Sequence, residues 1–251
     1  MTIHNKLVLG NTGDKITFEQ GLILASLMMQ NSNKESYTTV RGVHSFALKE
    51  LYDKEKFNGT ILLLSEEGVF KNNVYNQLGN RVTMEEVINF LKENISVESI
   101  NFQLVKNILV DECIDYFWVL FAREKHVSYQ IFCDLEIHKK IEVTMLELIE
   151  HFSVAQMYRI IWKHCKRAMD DINQGYIEVG NGIYKAAEDC RKYGQQAINR
   201  GWYVRPYNPD SRIVRSSISR ICFDEVLGIG NRWFYEPIHK LYVSAVCGDV
   251  A

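Results

Sequence analysis

Apolar residues recur at helical spacing in the second half of the chain, and this is its clearest pattern. Between residues 154 and 172 they fall at intervals of three or four, at Val154, Met157, Ile161, Cys165, Ala168 and Ile172. Such spacing places one apolar stripe along a helix, with Arg159, Lys163 and Arg167 on the opposite side. Ser153 and Gln156 have the spacing of a capping box, which marks the start of a helix. The pattern predicts a long amphipathic helix over these residues.

Residues 176–185, YIEVGNGIYK, allow three interpretations. Small and apolar residues follow them at helical spacing, at Ile183, Ala186, Ala187, Cys190, Gly194, Ala197 and Ile198. This spacing favours a second helix, with Asn181 as its N-cap and Gly201 at its exit. Asn-Gly between apolar flanks is also typical of a β-hairpin. The third interpretation is an anion-binding helix start, because the glycines and Lys185 form an incomplete phosphate-loop pattern.

Residues 147–161 resemble the two helices and the tight turn of helix-turn-helix DNA-binding proteins. In a winged member of that group, residues 176–185 would form the wing. The resemblance implies that Gln156, Arg159 and Lys163 face the major groove of DNA.

The first part of the chain has a different pattern. Short apolar or β-branched runs predict strands at residues 7–9, 61–64, 116–122 and 127–133. Capping patterns and helical spacing predict helices between some of them, at residues 17–29, 45–57 and 84–93. We therefore predict an α+β fold, in which a mixed α/β region spans residues 1–142. A helical pair and a basic C-terminal segment follow over residues 143–251, and the two parts can share one core.

Composition narrows the class of protein. The 251 residues are 47% hydrophobic and 24% charged, as is ordinary for a soluble globular chain. No apolar run approaches the ~20 residues of a membrane span, and the N-terminal residues do not have the pattern of a signal peptide. The six cysteines are widely spaced without a C-x-x-C pair, which predicts small buried side chains rather than a zinc site. We expect a cytoplasmic protein that binds neither a membrane nor a cofactor.

Positive charge is concentrated late in the chain. Residues 159–220 carry 12 Lys and Arg against 6 Asp and Glu, whereas residues 1–158 carry 15 against 21. Residues 200–220 contain five arginines and three aromatic residues, which can pair with phosphates and stack on bases. The candidate nucleic-acid-binding residues are Gln156, Arg159, Lys163, Arg167, Arg200, Trp202, Arg205, Arg212, Arg215 and Arg220. The alternative is a solvated loop whose arginines pair with acids of the first half.

Alternating polar residues at 134–138 suggest a second candidate site. Asp134, Glu136 and His138 would share one face of a strand, where oxygen and nitrogen ligands can hold a divalent metal. The same alternation is typical of any half-exposed strand, so these residues are weak candidates.

Three functions follow as hypotheses. The first is a non-enzymatic intracellular protein that binds nucleic acid or a nucleoprotein assembly through its basic C-terminal surface. The second is a protein–protein assembly or regulatory subunit, or a homo-oligomer, without nucleic acid. The third is a metal-dependent hydrolase or nuclease that uses Asp134, Glu136 and His138.

Overall fold

The structure is a computed structural model. It describes residues 7–9, 14–16, 18–32, 83–95, 100, 102–123, 131, 134–208 and 215–246. The helix predicted at residues 45–57, the strand predicted at 61–64 and residues 127–130, 132 and 133 of the last predicted strand lie outside the described residues. Ile131, the remaining residue of that predicted strand, is helical.

Helices dominate the described part of the chain. Two three-residue strands, β1 (Leu7–Leu9) and β2 (Asp14–Ile16), pair antiparallel with Leu7 opposite Ile16. The helices are α1 (Phe18–Ser32), α2 (Met84–Glu93), α3 (Phe102–Arg123), α4 (Leu135–Leu148), α5 (Val154–Asn173), α6 (Val179–Arg200), α7 (Ser217–Arg220), α8 (Arg232–Tyr235) and α9 (Ile238–Val246). A π-helical turn, Ile221–Val226, continues α7.

The prediction of an α+β fold is wrong, because the described chain is helical rather than mixed α/β. Residues 116–122, predicted as a strand, lie inside α3, where every residue from Glu112 to Val119 is buried. A helix buried on all sides has no polar face, so its sequence lacks the 3.6-residue period. Its aromatic residues fill the core instead of a sheet: the ring of Tyr116 stacks on that of Tyr158 in α5, with centroids 3.9 Å apart.

The prediction of the helical pair α5 and α6 is confirmed. The apolar stripe of each helix is buried, apart from the half-buried Ile172 and Ile198. The Ser153–Gln156 capping box is present at the start of α5. The two helices run antiparallel, since Lys185 of α6 pairs with Asp171 near the end of α5, while Tyr193, later in α6, lies against Lys163, earlier in α5.

Residues 176–185 form the entrance to α6, as the helical spacing predicts. The predicted N-cap is wrong: Glu178 occupies that position, and Asn181 lies in the first turn. The hairpin, and with it the wing, is wrong as well. Gly182 lies so close to α5 that a Cβ would overlap the side chain of Ile172. The helix ends at Gly201, which has the left-handed φ of 63° that favours glycine.

Helix α7 is tied to α3 by a buried carboxylate. Ser216 is the N-cap of α7, and its backbone N–H donates to Glu112 Oε1 at 3.0 Å, while its hydroxyl donates to the same oxygen. Burial raises the pKa of Glu112, although the hydrogen bonds from Ser216 oppose the shift. The C-terminal segment is therefore part of the protein core at this point.

Candidate nucleic-acid interface

Three basic side chains follow one another along the outer side of α5. Arg159, Lys163 and Arg167 are exposed and are each separated by four residues. Four residues correspond to one turn and a rise of about 6 Å. The sequence places these side chains opposite the buried stripe, and the structure places them in solvent as expected.

Aromatic rings lie beside these cations. The guanidinium of Arg159 is 5.4 Å from the centroid of the Trp162 ring, and Trp162 stacks on Tyr207 with centroids 5.8 Å apart. Lys163 Nζ lies 4.2 Å from the centroid of the Tyr193 ring in α6. Each cation is thus attracted by the electron-rich face of a ring, which stabilises an exposed pair by about 0.5 to 1 kcal/mol.

The same arrangement continues at the end of α6. The ring of Tyr193 is 6.4 Å from that of Trp202, and Arg200 lies 5.0 Å from the Trp202 centroid. Arg205 is exposed in the segment that follows α6. Together these residues form the basic–aromatic face, defined here as Arg159, Trp162, Lys163, Arg167, Tyr193, Arg200, Trp202, Arg205 and Tyr207.

Gln156 supports the fold rather than facing outwards. Its side-chain oxygen accepts a hydrogen bond from the backbone N–H of Ser153 at 2.9 Å, and its amide nitrogen donates to the carbonyl oxygen of Val204 at 2.9 Å. A side chain that caps its own helix and holds the neighbouring segment is not available for a base edge. The major-groove role implied by the helix-turn-helix resemblance has no geometric basis at this residue.

His164 lies beneath the basic–aromatic face. Its ring is 5.3 Å from that of Tyr193, and both ring nitrogens are buried without a hydrogen-bond partner among the described residues. Burial, and then the charge of Lys163, lower the pKa of His164, whereas Asp189 raises it. The neutral form of the imidazole is therefore favoured, and it adds no buried positive charge beneath the face.

The late arginines divide into two groups. Arg215 donates from Nη1 to both carboxylate oxygens of Asp224, at 3.0 and 2.8 Å, and lies 4.2 Å from the Trp233 centroid. Its charge is satisfied inside the protein, so we exclude it from the interface. Arg220 is half-buried in α7, which packs against α1 and α3. Arg212 lies outside the described residues.

The metal candidates do not lie on a strand. Asp134 is the N-cap of α4 and accepts hydrogen bonds from the backbone N–H groups of Glu136 and Ile137. Glu136 is exposed in the first turn, and His138 lies beside the Trp118 ring with centroids 5.0 Å apart. Alternate residues diverge on a helix, so the premise that the three share a face is wrong. Across the residues the structure covers, no group of three or more His, Cys, Asp or Glu side chains is placed to hold a metal.

The four described cysteines, Cys113, Cys165, Cys190 and Cys222, are free and buried, as predicted. Burial raises the pKa of each thiol, that of Cys222 to about 12. The thiolate is the nucleophilic form, so these thiols are poorly suited to catalysis. Cys133 and Cys247 lie outside the described residues.

Comparison with known proteins does not assign the chain to a family. No family model, no curated protein and no solved structure matches the chain. Within the described helices, none is both long enough and apolar enough to cross a membrane.

Sequence reasoning missed Trp162 and Tyr193 of the basic–aromatic face, whereas Trp202 and Tyr207 belong to the stretch of arginines and aromatic residues at 200–220. Trp162 and Tyr193 belong to helices whose apolar stripes account for their neighbours, so periodicity gives no separate signal for them. The exposed Tyr203 is a further aromatic beside this face, 80% exposed. For Trp202, Tyr203 and Tyr207 the available signal was an aromatic residue near arginines, in a stretch with little helical period.

Proposed function

We propose that the protein is a non-enzymatic binder of nucleic acid and that the basic–aromatic face is its binding surface. The observation that carries this proposal is that five cations of the face have no carboxylate partner among the described residues. These cations are Arg159, Lys163, Arg167, Arg200 and Arg205.

Neighbouring basic residues of the same helices behave differently. Lys185 pairs with Asp171, Arg191 with Glu147, and Lys192 with Glu188. Asp171, Glu147 and Glu188 are thus paired with these residues and not with the cations of the face. Unpaired guanidinium groups match phosphate oxygens in geometry and charge, and adjacent rings can contact bases. An intracellular, cytoplasmic setting is part of the proposal, since free buried thiols suit a reducing compartment.

The test is a charge reversal on the face. Arg159→Glu combined with Lys163→Glu should weaken binding of a fluorescein-labelled oligonucleotide by at least about tenfold, because each change removes a phosphate contact and adds a repulsive charge. Lys139→Glu is the matched control, an exposed lysine in the first half of α4. Binding is measured by fluorescence anisotropy at one fixed salt concentration.

Equal binding by the double variant and the control would overturn the proposal. Circular dichroism of both variants checks that the fold is retained. If the wild-type protein itself does not bind the oligonucleotide, light scattering then tests the hypothesis of a protein–protein assembly.

A further inference from the structure

The segment that follows α6 is fixed against α5 although it has no regular secondary structure. Residues 202–208 are held by two hydrogen bonds to the start of α5: Tyr207 N donates to Ala155 O, and Gln156 Nε2 donates to Val204 O, both at 2.9 Å. Val204, whose carbonyl oxygen accepts the second of these bonds, is buried, with 3% of its surface exposed. The segment is therefore ordered before any ligand binds, which lowers the entropic cost of binding.

This ordered segment presents aromatic rings to solvent. Tyr203 is 80% exposed and Trp202 is 42% exposed, whereas Val204 between Tyr203 and Arg205 points inwards. Arg205 is exposed on the outer side, and Arg200 lies beside the Trp202 ring. Exposed rings flanked by guanidinium groups are what a stacking surface for nucleotides needs, since bases stack on the rings and phosphates contact the cations.

Stacking of this kind requires unpaired bases. In a duplex the faces of the bases are stacked on each other, and a protein reaches only their edges in the grooves. A helix that reads the major groove would have to insert the N-terminal residues of α5. Those residues are covered by the 202–208 segment, through the bonds of Ala155 and Gln156 described above. The geometry thus opposes the duplex mode and favours a strand laid across the rings.

We infer that the ligand of the basic–aromatic face is single-stranded nucleic acid, with Tyr203 and Trp202 stacking on bases and Arg200 and Arg205 contacting phosphates. This inference rests on the proposed nucleic-acid function and narrows it to one class of ligand. Of the two rings, that of Tyr203 is the more exposed, so its stacking on a base is the most specific test of the inference.

The experiment compares labelled oligothymidine with a labelled duplex of mixed sequence, using wild type and three tyrosine variants. We expect the wild type to bind the single strand at least about tenfold more tightly. Tyr203→Ala should weaken single-strand binding by about 5- to 150-fold, the range for loss of one stacked base, and leave duplex binding unchanged. Tyr203→Phe keeps the ring and should retain affinity. Tyr176→Ala is the matched control, because Tyr176 is 78% exposed between α5 and α6, away from the face.

The outcomes separate this inference from the proposed function. Equal affinity for both probes, with no effect of Tyr203→Ala but a loss on reversal of Arg159 and Lys163, overturns the inference and leaves the proposed function standing. Single-strand affinity that is unchanged by Tyr203→Ala overturns the stacking role of Tyr203. Absence of binding to either probe overturns both.

Discussion

Arg159 and Arg215 each lie beside a tryptophan ring and yet have different surroundings. Arg159 is exposed, 5.4 Å from the Trp162 centroid, with no carboxylate partner in the described chain. Arg215 lies 4.2 Å from the Trp233 centroid, and only 19% of its side chain is exposed because Asp224 and the core enclose it.

The difference shows that a basic stretch of sequence does not act as one surface. Arg200 and Arg205 belong to the basic–aromatic face, whereas Arg215 joins the start of α7 to the π-helical turn. A paired, partly buried arginine contributes to folding, while an unpaired exposed one contributes little to folding and is available to a ligand. The predictions below test this division, from the largest expected effect to the smallest.

Removal of Arg215 should have the largest effect on stability. Arg215→Ala should lower the free energy of unfolding by about 2 to 3 kcal/mol, because it removes charge-assisted hydrogen bonds to Asp224 and to Ser219. Arg159→Ala is the matched change in the other region and should cost less than about 1 kcal/mol. Urea unfolding measures both. Similar losses for the two variants would contradict the division of the arginines.

Packing next to the face should have the second-largest effect. Gly194 follows Tyr193, and a Cβ there would overlap the buried side chain of Leu148 in α4. Gly194→Ala should therefore cost about 1 to 2 kcal/mol, since overpacking outweighs the better helix propensity of alanine. Gly180→Ala in the same helix meets only Ile137 Cδ1 at 3.9 Å and should be neutral or stabilising. Thermal unfolding measures the stability of the two variants. A stabilised Gly194→Ala variant would contradict the prediction, because it would show that the helices move apart freely.

The smallest effect concerns pH. The pKa of His164 is lowered by burial and by Lys163, so the unfolded state takes up a proton more readily than the folded state. Stability is then full above the ordinary histidine pKa of about 6.5 and falls as the pH drops through and below that value. The groups that face this ring are Lys163 and Arg167 of α5 and Asp189 and Tyr193 of α6.

Replacing His164 should remove that part of the pH dependence. His164→Gln should flatten the fall in unfolding free energy between neutral and mildly acidic pH, whereas His151→Gln, at an exposed position after α4, should retain it. Urea unfolding at a series of pH values measures the difference. An unchanged pH profile in His164→Gln would mean that the imidazole titrates alike in both states.

The sequence predicted those parts of the fold that have one buried and one exposed side. The stripes of α5 and α6 alternate with solvated residues, so their period is visible, and so are the exposed positions of Arg159 and Lys163. Helix α3 is buried all round between Glu112 and Val119, and the apolar run there therefore gave a strand where a helix exists. Composition and spacing contain no information about such a helix beyond its hydrophobicity.

The candidate site was predictable only in part, because its contacts join distant segments. Lys163 meets Tyr193 across two helices, and Trp162 meets Tyr207 in the segment after α6. No local pattern gives these pairs, nor the choice of Asp224 as the partner of Arg215. An arginine-rich run therefore predicts a polyanion ligand no better than it predicts an internal ion pair.

The salt dependence of oligothymidine binding tests the central claim most directly. Five cations without a carboxylate partner among the described residues, if all contact phosphates, give a slope of log K against log salt of up to about −3.5, at about −0.7 for each contact with a single strand. Arg159→Gln with Arg205→Gln should reduce the size of the slope by about 1.4. A slope that is the same in the double variant and the wild type would contradict the account, because the unpaired arginines would then not be in contact with the ligand.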